Sequence, residues 1–142
     1  MKPPPRDWPR LSCSAFYQDA AAAIDWLCDA FGFEVRLRVV GDDGRIAHSE
    51  LVFGGGLVMV SQEAPDADRP WKRLMRSPRS LDGRGTQAIM VFVDDADAHC
   101  AHARSRGARI VEAPFTQDHG ADYWTDRSYA ALDVEGGVAA VG

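Results

Sequence analysis

The chain has 142 residues, 46% of them hydrophobic, and a formal net charge of −5, enough for one domain with its own core. The acidic balance argues against a nucleic-acid or anionic-membrane partner. Three cysteines (Cys13, Cys28 and Cys100) lie inside regular-structure patterns, which fits reduced thiols in a cytoplasmic protein better than a disulfide scaffold. Met1 to Arg10 is Pro-rich and polar, so it reads as an extended arm and not as a signal peptide.

In chain order, Leu11–Tyr17 alternates like a short strand. Asp19 stands at an N-cap position, and Ala20–Phe31 carries apolar residues three and four apart, which predicts a helix ended by Gly32. Glu34–Val40 is predicted as a strand, turned at Gly41–Gly44 into Arg45–Phe53, with a second hairpin leading to Leu57–Gln62. Glu63–Gly85 is a linker without periodicity, with six basic residues (Arg69, Lys72, Arg73, Arg76, Arg79, Arg84) against four acids. It is either a solvated connection or an anion-binding or partner-docking loop. Trp71 within it should dock in the core, a subunit interface or a cleft.

The same order then returns. Ala88–Val93 reads as a strand, Asp95–Ser105 as a helix stopped by Gly107, and Ala108–Glu112 as a strand, with Arg127–Leu132 and Val138–Val141 as a final hairpin. Asp19 to Asp94 and Gly32 to Gly107 are each 75 positions apart, and Gly55-Gly56-Leu57-Val58-Met59-Val60 is echoed by Gly136-Gly137-Val138-Ala139-Ala140-Val141 at an offset of 81. Two copies of one supersecondary unit follow. The predicted fold is α+β: tandem βαβββ modules (11–62 and 86–142, joined by 63–85) in one curved, open-sided mixed sheet with helices outside.

Candidate chemistry sits on two strands. His48 and Glu50 alternate, so they share a face, opposite Ala47, Ser49, Leu51 and Phe53, which look like the packing side. A His and a Glu so placed could transfer a proton, begin a metal site, or form a plain cross-strand hydrogen bond. Arg127, Tyr129 and Asp133 share parity in the same way, either toward a cleft or as a structural Arg–Asp pair with a half-buried Tyr. His99 and His102, three apart on the second helix, are expected in solvent. His119, Tyr123 and Trp124 fall in a loop before the last hairpin. No Gly-rich phosphate loop, Ser-His-Asp arrangement or CxxC pair is present.

Taken together, Ala23–Leu27 through Ala30–Glu34, Ile46–Leu51, Val93–His99, Arg106-Gly107-Ala108, Asp126–Tyr129 and Asp133–Gly137 resemble the vicinal oxygen chelate superfamily, the glyoxalase/bleomycin-resistance/dioxygenase fold, over about Leu11 to Gly142. Metal-dependent members hold a divalent ion with His, Gln or Glu from the first and last strands of each module. Those slots fall here on Ser12 (or Cys13), Met59, Gln87 or Ala88, and Ala140, so the resemblance implies no carboxylate donor and no expected cofactor. Where resembling proteins end Glu-Gly-His-Leu-Trp, this chain reads Glu135-Gly136-Gly137-Val138-Ala139.

Two functions follow from the resemblance. The first is a metal-independent protein of bleomycin-resistance type that sequesters an aromatic or peptide-like small molecule in a cleft lined by His48, Glu50, Trp124, Arg127 and Tyr129. The alternative is a glyoxalase-like lyase or isomerase dependent on a divalent metal. A homodimer is expected, both from the resemblance and because Trp8, Trp71 and Trp124 lie in otherwise polar stretches.

Overall fold

A computed structural model describes residues 1–142. Each half runs strand, helix, three strands. The first comprises β1 (Cys13–Tyr17), α1 (Ala20–Trp26, continued by a π turn over Leu27–Phe31), β2 (Glu34–Val40), β3 (Ile46–Phe53) and β4 (Gly56–Gln62). The second comprises β5 (Ile89–Val91), α2 (Ala96–Ser105), β6 (Arg109–Asp118), β7 (Thr125–Leu132) and β8 (Val138–Val141). Two short 3₁₀ turns, Pro70–Leu74 and Arg79–Leu81, lie in the linker.

Local chemistry places the helices. The Asp19 carboxylate accepts from the Ala22 amide at 3.0 Å and that of Asp95 from Ala98 at 2.9 Å, each satisfying a donor that the first turn leaves free. Gly32 ends the first helix at φ +85°, a conformation costly to any residue with a Cβ. The caps Asp19 and Asp95 are 76 positions apart, whereas Gly32 and Gly107 are 75 apart. The first helix therefore carries one extra residue, and the π turn at Leu27–Phe31 absorbs it.

The ladders close within each module. Their orders are β1-β4-β3-β2 and β5-β8-β7-β6, with the first pair of each parallel and the others antiparallel. The single sheet expected from the sequence is thus two four-stranded mixed sheets. Their β1 and β5 edges are bridged by a side chain instead of a ladder: Gln87 Nε2 donates to the Ser14 carbonyl at 3.1 Å. β6 extends well past Glu112, because register shifts between Ile110 and Phe115 take Pro114 out of the regular pairing and let the strand resume. His119–Trp124, the loop ahead of the last hairpin, is consequently also the tip of a hairpin between β6 and β7.

One core of 19 buried residues spans both modules, packed between the helices and one face of each sheet. Polar clamps reinforce the join. His99 on α2 stacks on Phe31 with ring centroids 5.8 Å apart, and its Nε2 donates to the Phe31 carbonyl at 2.9 Å. Its Nδ1 accepts from the Tyr129 hydroxyl at 2.7 Å. His102 Nε2 donates to the Asp29 carbonyl and Trp26 Nε1 to the Arg106 carbonyl. Both histidines use carbonyls that a helix C-terminus leaves free; His102 stays exposed as expected, whereas His99, expected in solvent, is half-buried at the join. No helix is long and apolar enough to cross a membrane.

Candidate functional site

The face of each sheet turned away from the helices is open, and its occupants follow from the ladder register. Ser49 and Leu51 are fully buried on the packed side of β3, so His48 and Glu50 project from the open face, as their alternation predicts. His48 Nε2 lies 2.9 Å from Glu50 Oε1, and Arg36 Nε lies 3.6 Å from Glu50 Oε2. Trp8, from the N-terminal arm, sits over that guanidinium at 5.4 Å, within cation–π range. Leu37 and Val39 of β2 stand opposite Glu50 and His48 in the ladder. A carboxylate only 9% exposed is thereby held between a histidine and an arginine, and with Glu50 ionised it is Nε2 that carries the shared proton.

On the second sheet the parity is right and the face is not. Tyr129 and Ala131 are buried against α2, which puts Arg127 on the helix side as well. The Arg127 guanidinium forms a two-pronged pair with Asp97 of α2, its Nη2 2.7 Å from Oδ1 and its Nε on Oδ2, and its Nη1 donates to Thr116 Oγ1 at 3.2 Å. Hydrogen bonding to Arg127 holds the Asp97 carboxyl below its ordinary range. Burial raises the Tyr129 hydroxyl well above its own, so it remains a donor. Arg127 and Tyr129 therefore do not line the open face.

Asp133 does not pair with Arg127 either. It accepts from the Tyr17 hydroxyl at 2.6 Å through Oδ2, and from the Glu135 and Gly137 amides through Oδ1. Burial, then the Asp133 charge, push the Tyr17 hydroxyl far upward and keep it protonated.

Trp124 does belong to an open surface. It stacks on His119 with centroids 5.3 Å apart, meets Tyr123 edge-on at 6.3 Å and lies 5.8 Å from Phe92. His119 is anchored by Asp126 at 3.0 Å. Phe92 is 56% exposed, Trp124 40% and Tyr123 79%, which makes an aromatic shelf. Phe92 was missed from the sequence although a signal existed. It alternates with the buried Val91 and so had to face outward. Trp71 packs edge-on against Phe16 at 6.1 Å.

A separate cavity of about 370 Å³ lies between β1, the linker and the start of β5. It is lined by neither His48, Glu50, Trp124, Arg127 nor Tyr129.

The donor set suits a metal poorly. The 76-residue spacing of the caps settles the doubtful slot on Ala88, and Met59 and Ala140 pair with Ser14 and Met90 across the ladders. None of Ser12, Met59, Ala88 and Ala140 offers a carboxylate or an imidazole. No group of three or more His, Cys, Asp or Glu side chains is positioned to share an ion.

Comparison with known proteins adds the family. A model described as "Glyoxalase/Bleomycin resistance protein/Dioxygenase superfamily" matches residues 11–136. An uncharacterized protein of Mycobacterium tuberculosis is 33% identical over 125 residues, covering 88% of this chain and 68% of its own. Its counterpart in Mycobacterium bovis has the same identity over the same length, with 76% of it covered. Among solved structures, TioX from Micromonospora sp. ML1 is 29% identical with a TM-score of 0.66, covering 92% of this chain and 94% of that one. TnmS3, an antibiotic binding protein from Streptomyces sp. CB03234, shares the fold with a TM-score of 0.65 at 20% identity, over 95% of both chains.

Proposed function

Because the chain belongs to the glyoxalase/bleomycin resistance protein/dioxygenase superfamily, we propose that it is a metal-independent small-molecule-binding protein that sequesters an aromatic or peptide-like ligand on its open sheet faces. The observation that carries this reading is the exposed shelf of Phe92, Tyr123 and Trp124. Aromatic faces left bare at a hairpin tip and beside β5 suit stacking against a flat ligand. His48 and Glu50 supply the polar end on the other sheet. The description of TnmS3 as antibiotic-binding supports the same class of ligand.

The protein acts as a homodimer in this reading. Every residue of β2 is exposed, including the apolar Leu37 and Val39 beside the His48–Glu50 pair, so a second chain would cover that edge and bring another chain's surface to it. Three cysteines without a disulfide support a reducing compartment, the cytoplasm.

A thermal-shift screen of aromatic and peptide antibiotics tests the assignment, since a ligand at a hundred times its dissociation constant adds about 2.7 kcal/mol to stability. Trp124→Ala should weaken a hit by roughly 1–3 kcal/mol. An unchanged affinity would remove the shelf from the site. The alternative, a glyoxalase-like lyase or isomerase, rests on the His48–Glu50 pair alone. Stoichiometric zinc, nickel or iron in protein purified without chelators, with activity lost on chelation, would establish it in place of the binding role.

A further inference from the structure

The cavity at the junction of the two modules is not used by the binding role above, and its wall is unlike a solvated linker's. Leu74 is 81% exposed and Leu81 44% exposed, yet both line the same cavity, with Phe16 and Ile89 behind them. Apolar side chains gathered around a concave space of about 370 Å³ make a site of small-ligand size.

Two arginines face one acid around it. Arg76 and Arg84 both line the cavity. The Arg84 guanidinium makes no ion pair or hydrogen bond, whereas that of Arg76 donates to the Arg73 and Met75 carbonyls and lies 3.9 Å from Glu63. The single acid in the lining, Asp133, forms no ion pair with either of them. Its Oδ2 is taken by Tyr17 and its Oδ1 by two backbone amides. An apolar wall beside an uncommitted guanidinium calls for an apolar body carrying one anionic group, which a planar guanidinium can hold in a paired hydrogen bond.

We propose that this inter-module cavity is a second binding site, for a small organic acid with an apolar body, in which Leu74, Leu81 and Phe16 contact the body and Arg84 holds the carboxylate. The inference does not depend on the open faces binding anything. Because the cavity is bounded by β1 of one module and β5 of the other, its occupant would touch both modules and the linker at once.

Titration of the 15N-labelled protein with 2-naphthoate, followed by amide chemical shifts, tests it. The expected result is saturable shifts at Leu74, Met75 and Arg84–Ile89, with at least tenfold weaker binding of the neutral 2-naphthamide and of 2-naphthoate to Arg84→Gln. Arg84 is exposed and unpaired, so that variant should keep the wild-type spectrum elsewhere. Shifts confined to Phe92, Tyr123 and Trp124 would assign the probe to the open face and overturn the proposal. So would equal binding of acid and amide, an unchanged affinity in Arg84→Gln, or no shifts at millimolar probe.

Discussion

The turn Asp133–Gly137 shows how much one short motif can fasten. Glu135 is 5% exposed although acidic, and its two oxygens accept from the Gln18 and Asp19 amides at 2.8 and 2.9 Å. A residue of the second module thus satisfies the backbone where the first module's helix begins. Gly136 takes φ +92°, and a Cβ on Gly137 would run into the Asp133 carboxylate. A side chain at position 137 would therefore require the Asp133 carboxylate to give up its present place in the turn. Glu135→Ala should cost about 2 kcal/mol in urea denaturation, by leaving two amides without partners. Glu135→Gln, which keeps one acceptor oxygen, should cost less. The same scale shows the limit of alternation as a guide. Period two groups Arg127 with Tyr129 but cannot say which face is packed. For His48 and Glu50 the apolar neighbours Leu51 and Phe53 settled it, whereas on β7 small residues flank both parities. Arg127→Ala should therefore leave the affinity of any ligand bound on the open face unchanged, as titrated by Trp fluorescence. A tenfold loss would put its guanidinium back in the site.

Elements were legible wherever a cap or a glycine stop marked them, and illegible where pairing overrode a local signal. Asp19, Gly32 and Gly107 announced the helices. The strand expected over Ala108–Glu112 runs on to Asp118, because the register shifts absorb Pro114 and the hairpin grows to carry Trp124 outward. The π turn was invisible as periodicity and shows itself only in the mismatch between cap and stop spacings. The linker, aperiodic in sequence, is fastened by Glu63, which accepts from the Ser77 amide at 2.7 Å and from Ser80 Oγ at 2.8 Å. Burial pushes the Glu63 carboxyl up, but the hydrogen bonds from Ser77 and Ser80, with the Arg76 charge, outweigh it and the net shift is downward. A carboxyl depressed in the folded state adds stability above its unfolded pKa and loses it as pH falls through the folded one. The urea midpoint should accordingly fall with acidification below the ordinary carboxylate range, and Glu63→Gln should flatten that part of the profile. Equal slopes in the two proteins would show that the anchor contributes nothing to the folded state.

Duplication made the whole molecule readable, because two copies at nearly constant offset demand two modules whatever each residue does. How the copies join was not readable, since His99, Tyr17 and Glu135 act across distances of 68 to 117 positions that no local pattern encodes. The outer edge poses the converse problem. Val35, Leu37, Val39 and Val40 of β2 are 40–55% exposed, on an edge strand with one unpaired side. Proteins usually blunt such edges with charge or cover them. Here Arg36 and Arg38 are already engaged with Glu50 and Asp25, and four aliphatic residues remain. A second copy of the chain would bury them together with Trp8 and complete the surface around His48 and Glu50. Light scattering at micromolar concentration should return about twice the 15.5 kDa chain mass. The double substitution Leu37→Lys, Val39→Lys should shift that mass to the monomer while preserving the far-UV spectrum, since both side chains point away from the core. Ligand affinity should fall in the same variant if the partner completes the cleft. A wild-type mass of a single chain would mean that β2 stands bare in solution and that each binding surface is built by one chain alone.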